Sequence, residues 1–379
     1  MKPRFLLLPL LALAALGCAS ALAAIPEPTP FGQLPDGTPV DVYTLSNSRG
    51  IRMRVMTYGA TVLSLETPDK RGNRADIVLG FSTLEAYLKD SPYFGCVVGR
   101  YANRIAQGKF SIGDRAFTLA VNSGSGSGAC TLHGGKRGLD KVVWKAQGLE
   151  REGAQGLKFT YTSQDGDEGF PGNLQLTMTY WLQESNDWEI EYEATTDRPT
   201  PVNLSHHSYF NLRGEGDPSV LGHELQILAS RFTPVNSSLI PTGECRTVRD
   251  TPLDFSSPAM IGARIDSEDE QLRFGGGYDH NWVLDSQDGS LKPAASLHEP
   301  LSGRWMEVLT TEPGIQFYTG NFLDGKLVGK SGKPYVKRSG LCLETQHYPD
   351  SPNQPGFPTT ILDPGKTYRS KTVYRFGTR

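Results

Sequence analysis

Short runs of alternating character dominate the chain. Ile51-Arg52-Met53-Arg54-Val55-Met56 alternates in part between apolar and charged positions, as a strand with one wet face requires. Comparable runs rich in Val, Ile, Thr, Tyr and Phe recur between Gly, Pro and Asn/Asp turns, and no long 3.6-residue periodicity interrupts them. Lys109 to Ile112, Gly113-Asp114 and Arg115 to Leu119 predict a hairpin. Three successive strands are expected over 157–163, 173–183 and 187–196, with turns at Gln164-Asp165-Gly166-Asp167 and Glu184-Ser185-Asn186. One short helix is expected over Ser82 to Lys89, with Ser82 as N-cap and Glu85 completing a capping box. Ser123 to Gly128 alternates Ser and Gly and predicts a flexible low-complexity loop. There is no internal repeat, composition shift or Pro-rich linker. The expectation is therefore all-β, a single domain whose many strands must form a sandwich or barrel to bury their faces.

The first residues follow a different pattern. Lys2 and Arg4 precede an apolar run, Phe5 to Leu16, that is too short to cross a bilayer as a helix. Ala19-Ser20-Ala21-Leu22-Ala23 then places small residues at A-x-A spacing. This predicts a signal peptide over 1–23, cleaved after Ala23, and a mature domain over 24–379, periplasmic or secreted. Lipoprotein processing at Cys18 is the rival reading, but Ala15 is a poor match to the large aliphatic residue a lipobox prefers. No later run approaches the roughly 20 apolar residues of a membrane span. The net charge of −3 and the scattered Lys and Arg give no reason to expect a nucleic-acid or polybasic membrane partner. No pattern specifies an assembly beyond a monomer or weak homodimer.

Four cysteines follow Cys18, none in C-x-x-C or at zinc-ligand spacing with a His. Cys96 and Cys342 lie in apolar strand-like runs and read as buried thiols. Cys130 and Cys245 fall in polar stretches, and in an oxidising compartment they are expected to pair as a disulfide.

Five polar clusters stand out: Gly99 to Ile105 (GRYANRI), Leu132-His133-Gly134-Gly135, Asn203 to Phe210 (NLSHHSYF), Gly277 to Asn281 (GYDHN) and Leu343-Glu344-Thr345-Gln346. Each also has a purely structural explanation. Alternation puts Cys342, Glu344 and Gln346 on one strand face, which suggests either a functional buried carboxylate or an edge glutamate paired with an Arg. His206 and His207 are adjacent, so they face opposite ways, and Asn203, Ser205 and Tyr209 share the face of His207. The glycines after His133 and before Tyr278-Asp279 are equally consistent with turns that need positive φ. Gly275-Gly276-Gly277 lacks the strand-to-helix setting of a dinucleotide loop, and Arg104 alone would ordinarily be solvated or ion-paired. There is no G-x-S-x-G and no H-E-x-x-H.

In order and spacing, these runs, with Tyr318 to Gly325 (YTGNFLDG), resemble the aldose 1-epimerase (galactose mutarotase) family over about Gly32 to the C-terminus. The resemblance implies a large antiparallel β-sandwich with a free monosaccharide, such as galactose or glucose, lying across one sheet. It also implies roles: Glu344 as general base, His207 as general acid, and Asn103, Arg104, His133, Ser208, Tyr209, Asp279 and Gln316 as sugar contacts. Two departures are visible: the Ser/Gly insertion with Cys130 ahead of His133, and His206 where many relatives carry Asn. Anomerisation removes a proton from the C1 hydroxyl while the ring oxygen gains one, so a carboxylate and an imidazole suffice and no metal or redox cofactor is implied. An acidic limb of activity from Glu344 and an alkaline limb from His207 are expected.

Three rivals are weaker. A hexose-phosphate epimerase would gather several Arg or Lys on the phosphate, and only Arg104 falls in a site motif. A glycoside hydrolase would use two carboxylates, for which Asp279 and Glu344 are the candidates. A non-catalytic sugar-binding module would tolerate loss of the acid or the base, and both are present.

Overall fold

Met53 and Val55 are fully buried, while Arg52 before them is exposed and Arg54 between them half-buried, so the alternation read at 51–56 is a strand, Arg52–Met56. In this computed structural model, which describes residues 24–379, the same two-residue period recurs in strands that pair as antiparallel sheets along the described residues. The segment expected to be a signal peptide lies outside the described residues.

The largest sheet has nine strands. Ala154–Ser163, Leu174–Gln183 and Asp187–Thr196 pair in sequence and without a bulge, as expected. The C-terminal strand Tyr368–Thr378 then inserts between Asp187–Thr196 and Arg304–Thr310, which ties the end of the chain to the middle of the sheet. One face of Leu174–Gln183 presents Leu176, Met178, Tyr180 and Leu182, all buried in the main core. A second sheet, of five strands, includes Asp279–Val283, Gly314–Tyr318 and Cys342–Gln346 side by side. Alternation divides its residues: Trp282, Ile315, Phe317 and Leu343 pack into that same core. Burying each such side chain contributes roughly 1.5–3 kcal/mol. Their neighbours Asp279, Gln316, Cys342 and Glu344 are thereby turned to the opposite face. The result is a single β domain whose layers share one core. The hydrophobic packing of one face of the second sheet thus fixes where its carboxylates point.

Local expectations hold with small shifts. Lys109–Ile112 and Arg115–Thr118 form the hairpin, and Gly113 supplies the turn with φ +57°. The short helix α1 spans Leu84–Asp90, and its N-cap is Thr83 rather than Ser82, through a 3.4 Å bond from the Ala86 N–H. A second helix, α2 (Glu270–Gly275), is capped by Asp269 and ends on Gly276 with φ +65°. The triple glycine is therefore a helix terminus leading into the Asp279 strand. The Ser/Gly stretch contains a 3₁₀ turn, Gly126–Gly128, and the Gln107 amide bonds the carbonyls of Gly126, Ser127 and Ala129.

Arg100, from the GRYANRI run, is structural. It is 2 % exposed, and its guanidinium donates to the carbonyls of Ser163, Gln164, Pro171 and Gly172 and to two hydroxyls. The expected disulfide is corrected: Cys96, Cys130, Cys245 and Cys342 are all free thiols. Cys130 is not in a loop but buried in the strand Cys130–Leu132, opposite Ala106, while Cys245 packs on the separate cluster of Val283, Tyr348 and Phe357.

Candidate active site

The polar face of the five-stranded sheet forms the floor of a cleft of about 150 Å³. Its lining comprises Pro92, Tyr93, Asn103, Arg104, Leu132, His133, His207, Tyr209, Asp279, Tyr318, Phe322 and Glu344. The register explains the floor: Gln316 lies opposite Glu344, and Tyr318 lies between Asp279 and Cys342. One wall is the segment Ser205–His206 with His207 after it. It is anchored by the His207 N–H to the Cys96 carbonyl (2.9 Å) on one side and by the Phe210–Leu341 bridge on the other. Larger surface grooves exist, but the one at Asp266–Arg338 is lined mainly by charged residues and the one at Thr177–Lys371 by threonines and ion pairs.

Backbone strain marks the wall. Tyr93, Asn103 and His133 all adopt left-handed φ, +65°, +62° and +50°. That region is costly for a bulky side chain and concentrates at functional sites. The strain at His133 is held by its ring, whose Nδ1 accepts the Asn103 N–H at 3.2 Å. Neutral His133 then carries its proton on Nε2. The rings of Tyr93 and His133 lie 4.5 Å apart, and those of His133 and His207 5.0 Å apart.

The charged groups form a chain across the floor. Arg104 sits 3.9 Å from Asp279, Gln316 donates to Asp279 at 2.7 Å, and Asn103 Oδ1 takes the Arg104 backbone N–H at 2.9 Å. Glu344 is 2 % exposed and stands 3.6 Å from His207 Nε2, and its Oε2 has no hydrogen-bond partner. Gln316 Oε1 is likewise unpartnered. A buried acceptor without a donor costs about 1–3 kcal/mol, so two of them beside one cleft need an explanation. Burial pushes Glu344 well above the usual carboxylate range, with Asp279 adding to the rise and Arg104 opposing it. Burial also raises Asp279, against Arg104 and Gln316. The same burial lowers His207 to about 4 and takes His133 well below its usual value.

His133, His207 and Glu344 each offer a ligand atom, all within 4.8 Å of one another, a set that could chelate a transition cation. With Nδ1 of His133 committed to Asn103, a cation at Nε2 would displace the proton there and break that bond. The tautomer in place suits a hydrogen-bond donor.

Of the residues expected at the site, Asn103, Arg104, His133, His207, Tyr209, Asp279 and Glu344 line the cleft, and Gln316 orients Asp279 beneath it. Ser208 is corrected: its hydroxyl turns away and bonds His206 Nε2 at 2.6 Å. Asn203 and Ser205 are also occupied elsewhere, on the carbonyls of Ala102 and His347 and of Thr345. Tyr209 presents its ring, but its hydroxyl is bound to the Pro92 carbonyl. Cys342–Gln346 is the edge strand of its sheet, but it is buried throughout, and Glu344 faces His207 rather than an Arg. Tyr93, Pro92, Leu132, Tyr318 and Phe322 were given no role by sequence. Phe322 lay within YTGNFLDG, and nothing in the pattern distinguished it.

His206 faces the core, between Tyr180 (3.1 Å to Nδ1) and Ser208, with Trp188 edge-on. Burial lowers it to about 3 from 6.5. Between those values the folded protein binds fewer protons than the unfolded chain, so this group's contribution is complete above 6.5 and lost as pH falls. The loss is ~1.4 kcal/mol per unit. Urea titrations of wild type and His206→Asn at about pH 7.5 and about pH 5 should show their stability gap narrowing by up to ~2 kcal/mol at the lower pH. A gap independent of pH would contradict this account of His206.

A model of the aldose 1-epimerase family matches residues 41–375. Galactose mutarotase of Rattus norvegicus is 44% identical over 349 residues, 92% of this chain and 97% of that protein. Aldose 1-epimerase of Escherichia coli K12 is 38% identical, covering 90% of this chain and 96% of that one. Among solved structures, a GalM/aldose epimerase homologue from C. elegans superposes with a TM-score of 0.79 at 30% identity, covering 88% of this chain and 98% of that one. Galactose 1-epimerase from Lactobacillus acidophilus gives 0.81 at 25%, covering 94% and 99%. Family match, full-length identity and shared fold agree, and the chain belongs to the aldose 1-epimerase family.

Proposed function

We propose that this protein is an aldose 1-epimerase, interconverting the α and β anomers of free hexoses such as galactose and glucose. The observation that carries the reading is the buried pair Glu344 and His207, 3.6 Å apart beside the cleft, with an unpartnered carboxylate oxygen. Glu344 takes the proton of the C1 hydroxyl and His207 Nε2 gives one to the ring oxygen. The ring opens, the aldehyde turns about C1–C2, and closure on its other face returns both protons. Arg104, His133, Asp279 and Asn103 hold the hydroxyls. The size of the cleft suits one sugar ring, and Arg104, its one fixed cation, is already beside Asp279, which leaves nothing to bind a phosphate. Polarimetry on freshly dissolved α-galactose and α-glucose, with the uncatalysed rate subtracted, tests the reading. Equilibration no faster than the blank rejects it, and preference for glucose 6-phosphate would redirect it to a sugar-phosphate epimerase.

We also propose that residues 1–23 are a signal peptide removed after Ala23, which places a soluble mature enzyme in the periplasm or outside the cell. The intact mass of protein from its native host decides this. A diacylglycerol-modified Cys18 would rule it out.

A further inference from the structure

Cys342 is fully buried two residues before Glu344 on the same strand face, and its Sγ lies 3.6 Å from His207 Nδ1. Both ring nitrogens of His207 therefore meet this one strand: Nδ1 at Cys342 and Nε2 at Glu344 Oε2. We infer that Cys342 is a positioning residue for His207, its sulfur holding the permanent ring proton on Nδ1 so that Nε2 is the nitrogen that exchanges a proton with the sugar. The inference rests on His207 acting as the acid of the anomerisation.

A thiol is both a donor and an acceptor. Buried as it is, Cys342 keeps its proton, since burial and the nearby Glu344 push it well above the usual thiol range. Toward neutral His207 it accepts Nδ1–H, which leaves Nε2 bare to take up the proton from Glu344 that it then gives to the ring oxygen. Toward the protonated ring it accepts Nδ1–H, so both states of the catalytic cycle keep a partner on the same side. The other acceptor for the Nδ1 proton is the backbone carbonyl of His207 itself. That carbonyl already accepts the Gly95 N–H at 3.0 Å.

The test combines ¹⁵N NMR of the His207 ring with kinetics of Cys342→Ala and Cys342→Ser. Wild type at neutral pH should show a protonated Nδ1 and a bare Nε2. Alanine and serine leave similar space, so their difference isolates the hydrogen-bonding group. Cys342→Ala should lower kcat roughly tenfold with KM within about twofold, and its ring should populate both tautomers. Cys342→Ser should recover much of the rate and the Nδ1–H tautomer. Its recovery should be partial, because the shorter C–O bond sets the hydroxyl slightly farther from the ring. A wild-type neutral ring with its proton on Nε2, a Cys342→Ala variant with unchanged rate, or equal losses in both variants with an unchanged tautomer would each overturn the inference. Should neither variant fold, the wild-type spectrum decides it. Absence of mutarotation in wild type would sink the functional reading instead, and the tautomer measurement would still judge the Cys342 contact.

Discussion

Glu344→Gln lowers kcat for anomer interconversion by at least about 10²-fold, with a much smaller change in KM. The substitution keeps the shape and one carbonyl acceptor, so the sugar should still bind on Arg104, Asp279 and His133. What it removes is the capacity to take a proton, which matters in the transition state and not in the ground state. Stability should be retained, because an amide escapes the cost of burying a carboxylate at 2 % exposure. Polarimetry at saturating sugar, with the spontaneous rate subtracted, gives kcat, and a thermal melt confirms folding. A variant turning over at close to the wild-type rate would remove Glu344 from the mechanism.

The structure changes which group each pH limb reports. Sequence reasoning gave the acidic limb to Glu344 and the alkaline limb to His207, as for free side chains. Burial moves them past one another, raising Glu344 and lowering His207 to about 4. The working pair holds one proton in all. In the sugar-free site it rests on Glu344 and must pass to His207 before the carboxylate can act. As pH falls, the second proton enters on His207. As pH rises, the single proton leaves from Glu344. The acidic limb thus belongs to His207 and the alkaline limb to Glu344, although over 3.6 Å the two titrate as a pair.

Alternation alone made much of this legible. Leu343 and Thr345 on one face and Cys342, Glu344 and Gln346 on the other is a pattern any strand imposes, and it located the carboxylate correctly. The same rule fails at Asn203 and Ser205. Beyond the two-residue strand Ser205–His206 the chain is irregular, so the row Asn203, Ser205, His207, Tyr209 is not one face: Asn203 and Ser205 bind carbonyls while His207 and Tyr209 reach the cleft. Tyr93 was invisible because its place in the wall depends on a left-handed backbone in a residue that rarely takes it. The disulfide failed for a different reason. Compartment chemistry permits oxidation but says nothing about geometry, and Cys130 is buried in a strand opposite Ala106 while Cys245 packs on the separate Tyr348 cluster.

The adjacent histidines give the sharpest separation of roles. His207→Asn should lower kcat by at least about 10²-fold, since an amide cannot supply a proton to the ring oxygen. His206→Asn should lower it at least tenfold less, because its ring lies behind the wall, between Tyr180 and Ser208, and faces Trp188. Stability should show the opposite ranking. Losing His206 strands the Ser208 hydroxyl in the core and leaves Tyr180 only the Ala60 carbonyl, at a cost of about 1–3 kcal/mol near neutral pH. Losing His207 removes a ring at the cleft whose Nε2 makes no bond shorter than 3.6 Å. Rates measured well below both melting temperatures, beside urea titrations of the same preparations, read the two effects independently. A His206 variant slower than the His207 variant would mean that the imidazole facing the sugar is the other one, and with it the assignment of the acid would fall.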